Sequence, residues 1–456
     1  MKKKYTFLLV TICFSLQSQV INFPDVNFKT KLLSSNTSNA IAVDNNNNNI
    51  KIDANNDGEI EVNEALQVSK LFYVSNSNGE TPLKSTNAII NPITDLTGIS
   101  FFSNLKYLNV NSNNLTTLDL SNNVLLEELY CINNQLNALN LTNLNNLSVL
   151  NISENSLNSL NTVLYSNLVY LNCSNNNFTS LSLSNNLNLV TLRCSYNNLQ
   201  NLDVTNNLFL TILYCNNNNI NSLQISNQSD LQYLDFSGNL ITSFNFTDFI
   251  NLKNINCASN QLNSLIFNNN QQLQYLYCPG NNLTNLDVSQ TNLKYLNCSD
   301  NSNLTFINMK NTVISPQYNE SIPLGPPNFP SFNFSNLPSL NYLCFDDGEE
   351  EAIQTGFSGT IPNNVQLSTS CALETNDNFM SNNLIISPNP ATNSLFIKVN
   401  NNTEIQEISI YSVLGQLVKN IKRNVNSIDI NDLNNGIYFI LVDTTNGREI
   451  QKFLKN

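Results

Sequence analysis

From Leu105 onward the apolar positions of this chain recur in a fixed phrase. A leucine opens a unit at Leu105, Leu126, Leu147, Leu168, Leu189, Leu210, Leu231, Leu252, Leu273 and Leu293, a period of 21 residues with one shortening at the end. Each unit reads L-x-x-L-x-C/Φ-x-x-N-x-L-x-x-L-x-Φ, where Φ is apolar. Alternation at positions 4 and 6 predicts a short strand with those side chains facing inward, and positions 11, 14 and 16 return apolar groups from an opposite wall. One unit cannot bury this set alone. Stacked units can, with parallel strands about 4.8 Å apart and ten units forming a rod or arc roughly 50 Å long. Position 9 is asparagine throughout (Asn113, Asn134, Asn155, Asn176, Asn197, Asn218, Asn239, Asn260, Asn281, Asn301), a column of amides able to satisfy the backbone where each coil leaves its strand.

The phrase resembles the leucine-rich repeat, L-x-x-L-x-L-x-x-N-x-L. Its 21-residue form with cysteine at position 6, as in "LRCSYNNLQNLDV", is similar to the repeats of internalin-type bacterial surface proteins. The resemblance spans residues 68–345 and implies a mainly β fold: a leucine-rich-repeat solenoid with a parallel sheet and little helix. "VSKLFYVSN" supplies a first coil, with Val68, Leu71, Tyr73 and Asn76 at positions 1, 4, 6 and 9. "ITDLTGISFFSNL" resumes that coil after an inserted loop.

Cys131, Cys173, Cys194, Cys215, Cys257, Cys278 and Cys298 occupy position 6, where other units carry Val110, Ile152 and Phe236. A site that accepts plain hydrophobes treats cysteine as one. Neighbouring ladder cysteines about 4.8 Å apart at Cβ exceed the usual disulfide span, and thiolates in one line cannot make a zinc tetrahedron, so free thiols are expected. Cys344, in "LNYLCF", reads as an outward-facing position 5 of a last strand beginning at Leu340, with Cys371 following 27 residues later. An exported chain would pair them, closing a loop worth roughly 3 kcal/mol, or leave two unrelated thiols.

A solenoid needs caps. Ahead of the repeats, in the segment 19–67, "DANNDGEIEVNE" fits the calcium-loop pattern D-x-[DN]-x-[DN]-G-x5-E. Asp53, Asn55, Asp57, Glu61 and Glu64 would supply side-chain oxygens, Glu59 its carbonyl and Gly58 the turn, hard donors suited to calcium. These twelve residues resemble an EF-hand loop, but only the following "EALQVSKL" is helix-like, so a small helical cap is expected in place of a paired hand. Beyond the repeats, 346–384 reads as cap and linker, with the acids of "DDGEEEAIQ" at a helix N-terminus.

In residues 385–456 the texture changes to period-2 alternation with glycines between strands, which predicts a C-terminal antiparallel β-sandwich. "SPNPATNSLFI" (Pro388, Asn389, Pro390), "IYSVLGQLV" (Gly415), "LNNGIYFI" (Gly436, Tyr438) and the closing "KFLK" (Lys452) are similar to the type A sorting domain of type IX secretion. That resemblance implies a Bacteroidetes-type source, passage through the outer membrane by that machinery, and a mature protein anchored on the cell surface or released. The opening "MKKKYTFLLVTICFSLQSQ" agrees with export: residues 1–18 read as a signal peptide too short in its apolar run to span a bilayer. No later run is long enough to serve as a transmembrane segment, so none is expected in the mature chain.

Composition narrows the function. Charged residues are 12%, about half the globular norm, and asparagine fills the gap. The net charge of −13 argues against a nucleic-acid partner. Histidine is absent, which removes the commonest catalytic base and metal ligand, and Asp119, Asp203, Asp235 and Asp287 are scattered singly. No enzyme is expected. Positions 3 and 5 face the concave sheet and carry Tyr107, Tyr130, Tyr170, Tyr214, Tyr233, Tyr275, Tyr277 and Tyr295, half of the chain's 16 tyrosines. Tyrosine offers a rigid face and a polar tip suited to a protein or glycan partner, although strand propensity alone also places it there. The sequence thus reads as an exported surface protein, an adhesin in one form. A structural surface-layer role or an accessory module for a hydrolase is the alternative.

Overall fold

The computed structural model describes residues 19–72, 91–268, 270–311, 332–349, 365–369, 384–399, 404–412, 417–422, 425–444 and 447–456. The signal-peptide segment, Tyr73, Asn76, the helix expected after Glu349, Cys371 and Gly415 lie outside the described residues. The chain divides into two compact units, 1–370 and 371–456.

In the first unit the repeat period becomes strand register. Tyr107 pairs with Glu128, Glu128 with Val149 and Val149 with Tyr170, each 21 residues on and parallel, and the shortened step appears as Tyr275 against Tyr295. Thirteen strands from Ala42–Val43 to Phe332–Asn333 make one sheet, in which only the opening pair, Ala42–Val43 with Lys70–Leu71, is antiparallel. The opposite wall is broken into short parallel pieces, beginning with Thr117–Asp119 against Ala138–Asn140. Leucines at positions 1, 4 and 11 are fully buried through most of the stack, and position 6 runs as one inner column that includes Val110, Ile152, Phe236 and the seven cysteines. All seven are free thiols. Burial pushes each thiol's pKa up, Cys131 and Cys173 to about 12, so they sit in the core as inert small hydrophobes.

Asparagine is employed by position. In the ninth column, Asn218 donates through Nδ2 to the carbonyls of Cys194, Cys215 and Asn216 at 3.1, 3.0 and 3.4 Å, and its Oδ1 accepts from Leu199 N at 3.0 Å. Most of the column repeats this bracket between adjacent coils, as Asn134, Asn176 and Asn281 do. A second buried column, not anticipated from sequence, stands at position 19. Asn123, Asn186, Asn207, Gln228 and Asn270 donate to carbonyls of the preceding coil, and Leu144, Tyr165 and Phe249 fill the same place elsewhere. Because apolar residues interrupt it, the column leaves no uniform mark in the sequence.

The far end of the solenoid departs from expectation. The last strand of the concave sheet is Phe332–Asn333, pairing with Leu296 and Asn297, and Tyr342–Cys344 instead joins the return wall against Phe306–Asn308. The proline-rich stretch therefore leads into the concave strand, and counting from Leu340 had placed the repeat half a coil out. Cys344 is accordingly not an outward position 5. A further strand, Gln366–Ser368, covers that edge, and Cys344 is fully buried and disulfide-bonded.

At the near end, helix α1 (Val26–Leu33) was not foreseen, though Phe28 and Leu32 lie four apart on its buried face. Asp25 caps it, accepting from Phe28 N at 2.8 Å, while its second oxygen accepts from Thr94 N (2.6 Å), Thr94 Oγ1 (2.8 Å) and Asp95 N (3.1 Å). One carboxylate thus ties the cap to the first coil. Helix α2 (Val62–Ala65) is a single turn, so only the start of "EALQVSKL" is helical and Lys70–Leu71 is already strand. Among the described residues no helix is long and apolar enough to cross a membrane.

The second unit is the expected sandwich: an antiparallel sheet of three strands and one of four, sharing a core that includes Leu395, Ile410, Ile440 and Phe453. Its sequence landmarks meet in space. Asn389, between two prolines that follow cis peptide bonds, donates to Lys452 O at 3.0 Å and accepts from Leu454 N at 2.9 Å. Tyr438 stacks on Phe453 at 5.7 Å and donates to Asn434 O at 3.0 Å.

Candidate functional site

On the concave sheet, position 5 has a structural use of its own. Asn109, Asn151, Asn172, Asp235, Asn256, Asn297 and Asn333 each accept the backbone N–H two residues on, an Asx turn that ends the strand. Return-wall Asp119, Asp203 and Asp287 do the same for Ser121, Thr205 and Ser289. Hydrogen bonds from Ser121 and Thr205 hold Asp119 and Asp203 below the usual carboxylate range. Acids employed as turn acceptors in separate coils form no pair for acid–base chemistry.

The eight tyrosines all lie on this sheet, but unequally. Tyr107, Tyr130 and Tyr295 are 2–4% exposed, whereas Tyr170, Tyr214, Tyr233, Tyr275 and Tyr277 are half-buried. Diagonal ring contacts between coils close off the first set. Tyr107 lies 5.4 Å from Tyr130, whose hydroxyl donates to Glu128 Oε2 at 2.9 Å, and Tyr277 stacks on Tyr295 at 4.6 Å. Midway along the sheet, the Arg193 guanidinium sits 5.0 Å from the centroid of the Tyr214 ring, and Tyr214 pairs in register with Arg193 on one side and Asp235 on the other. Sequence reasoning missed Arg193, and it read Asp235 only as one of several scattered acids. The available signal was the break in the asparagine pattern at position 5.

In the cap, the calcium-type loop turns at Gly58, whose φ of +83° favours glycine. Asp57 N donates to Asp53 Oδ1 and Asn55 Oδ1 at 3.1 and 2.9 Å, and Glu59 N to Asp57 Oδ1 at 2.9 Å. Glu64 accepts from Ala54 N (2.7 Å) and Glu61 N (3.1 Å), while the Glu59 side chain turns away to Lys29 at 2.6 Å. Asp53, Glu61 and Glu64 are buried. A hydrogen bond shared with Glu64, burial, and repulsion from Glu64 and Asp57 push Glu61 up to about 7. Among the described residues no three acidic or thiol side chains stand at metal-ligand spacing, and Asn55 Nδ2 reaches Asp57 and Glu61 at 3.0 and 3.4 Å. The donor set fits calcium in chemical kind, and its crowded negative charge is what a cation relieves.

No curated protein sequence matches the chain. Among solved structures it is similar to the functional domain of InlJ from Listeria monocytogenes, which includes a cysteine ladder (21% identity, 96% of this chain and 99% of that one, TM-score 0.37). It is also similar to a leucine-rich-repeat protein of Leptospira interrogans (21%, 61% and 82%, 0.41) and to the effector YopM of Yersinia pestis (24%, 54% and 67%, 0.36). The repeat motif and its 21-residue strand register make the first unit a leucine-rich-repeat solenoid. Residues 386–456 match the family model described as the secretion system C-terminal sorting domain, which marks the chain for export to a surface or secreted location.

Proposed function

We propose that this protein is displayed on, or released from, the surface of a Bacteroidetes-type bacterium and binds a protein or glycan partner through its concave sheet, as an adhesin does. The reading is carried by one observation: aromatic side chains are concentrated at positions 3 and 5, the two that face away from the core. Tyr170, Tyr233 and Tyr275 offer partly open ring faces there. No reaction is assigned to this surface. In the test, the full chain captures a partner from surface extracts or a glycan array, and Tyr233→Ser with Tyr275→Ser weakens capture at least about tenfold, the order expected for two anchor residues. The Tyr→Phe pair serves as the folded control. Capture unchanged by the serine pair removes the concave reading, and absence of any partner favours a structural surface-layer role.

We also propose that Asp53, Asn55, Asp57, Glu61 and Glu64, with the Glu59 carbonyl, hold calcium and that the ion stabilises the cap. Millimolar calcium then raises the Tm, by an amount set by ligand excess, and Glu64→Gln abolishes the rise. An identical Tm in calcium and in chelator refutes the site. Cys344 is assigned Cys371 as its partner, which peptide mapping under non-reducing conditions checks.

A further inference from the structure

From Leu105 onward seven coils close the concave strand with an Asn or Asp at position 5, and four give that cap up: those with Tyr130, Arg193, Tyr214 and Tyr277. A residue that departs from a local structural rule needs another reason to be there. Tyr130 has its bond to Glu128, and Tyr277 has its stacked neighbour Tyr295. Arg193 and Tyr214 depart in consecutive coils, and Asp235 follows in the next, the one acid among the seven caps.

The three side chains make a row of cation, aromatic ring and anion. Arg193 lies over Tyr214, yet its buried Nε has no hydrogen-bond partner, and the buried Tyr214 hydroxyl also has none. Neither atom is therefore tied down by a bond within the fold, and the pair is held by ring contact alone. Asp235 accepts from Ser237 N and Oγ at 3.0 and 2.7 Å and from Asn256 Nδ2 at 3.0 Å, with no cation beside it among the contacts of the described residues. Burial, opposed by the Ser237 and Asn256 bonds, raises its carboxyl above the usual range, so a cationic partner is favoured there.

Arg193 and Asp235 stand two coils apart, about 10 Å at the spacing of paired strands. We propose that this row is the centre of the concave binding surface and that it takes a peptide in the polyproline II conformation, presenting a carboxylate to Arg193 and an amine three residues away, on the same face, to Asp235. Three residues of polyproline II cover about 9 Å and complete one turn, close to the separation, and the Tyr214 ring supports the backbone between. Fixed opposite charges favour a peptide over a neutral glycan, which would leave Asp235 without its counter-charge.

The inference rests on the concave-face reading and narrows it to one place and one chemistry. The experiment titrates the full chain by calorimetry with three synthetic octapeptides: Glu and Lys three apart, the same pair adjacent, and both replaced by Gln. Arg193→Asn and Asp235→Asn are the variants, because Asn holds position 5 in neighbouring coils and the fold is kept. The spaced peptide is expected to bind at least about tenfold more tightly than either control, and each variant to lose about tenfold. Equal binding of the Gln peptide, indifference to the two variants, or no binding of any peptide overturns the inference. If a surface partner is still captured in a Tyr233- and Tyr275-dependent way in any of these cases, the broader reading survives and only this narrowing falls.

Discussion

The ninth and fifth positions of the coil are both rich in asparagine, yet they behave differently. At position 9 the residue is asparagine in every coil from Leu105 to Leu293, buried in all but Asn134 and Asn155, and bonded at both ends of its amide to two coils at once. At position 5 an asparagine satisfies one local N–H, and four of the coils from Leu105 onward do without it. Uniformity marks the site where substitution breaks the stack. Variation marks the site where the stack tolerates change and a surface can be written.

The comparison breaks most sharply at position 9. Asn218→Leu removes three donations and one acceptance in a buried place and leaves Leu199 N–H without a partner, while the facing carbonyls of Cys194, Cys215 and Asn216 keep Asn197, Asn239 and Tyr196 N as donors. The expected cost is about 3–5 kcal/mol by urea unfolding, since the orphaned buried N–H costs about 1–3 kcal/mol and a branched side chain forced into the amide's packed place about 1–3 kcal/mol more. A loss below about 1 kcal/mol would put the column on the same footing as position 5.

Asp25 sharpens the same contrast by doing the asparagine's job with a charge. It stitches α1 to Thr94 and Asp95 as Asn218 stitches coil to coil, and Asp25→Ala should cost about 2–4 kcal/mol from its charged hydrogen bonds. An amide does not titrate and a carboxylate does. Although burial alone would raise it, hydrogen bonds from Thr94, Phe28 and Asp95 hold its pKa below the ordinary 3.8. The folded state therefore prefers the ionised form. The contribution is complete above the unfolded pKa and fades as pH falls from about 4 through the lower folded value. The stability gap between wild type and Asp25→Ala, followed by denaturant midpoint from pH 6 to pH 2.5, should narrow on acidification, while the Asn218→Leu gap stays flat.

Much of this was legible because repetition makes position visible. Ten leucines at one spacing announced the coil, and the plain hydrophobes beside the cysteines announced a packing site, as the free thiols agree. The position-19 column was hidden because Leu144, Tyr165 and Phe249 share it with amides, so no single residue type repeats. Helix α1 was hidden because its cap, Asp25, is fixed partly by Thr94 and Asp95, 69 and 70 residues away, a contact no local pattern encodes. The end of the solenoid misled because a strand pattern in "LNYLCF" does not say which wall it joins. Register came from Phe332 pairing with Leu296, across a stretch where the period had lapsed. At the concave surface the tyrosines were read by type and the row around Tyr214 was not. Its signal is an absence of asparagine, which counts only once position 5 is known to be a cap.

The smallest expected effect is the most discriminating. Tyr214→Asn restores the common residue at position 5, where Asn172 and Asn256 show the Asx bond it would make to the N–H two residues on. It gives up the stacking with Arg193, an interaction worth about 0.5–1 kcal/mol at a partly open site, and gains a strand-ending hydrogen bond of similar size. Stability should therefore stay within about 0.5 kcal/mol of wild type by urea midpoint. A loss of 2 kcal/mol or more would mean that Tyr214 is part of the coil's architecture and that the two asparagine-bearing columns differ less than their hydrogen bonds imply. A neutral result would leave the ring with no structural reason to replace the amide, and recognition as the remaining one.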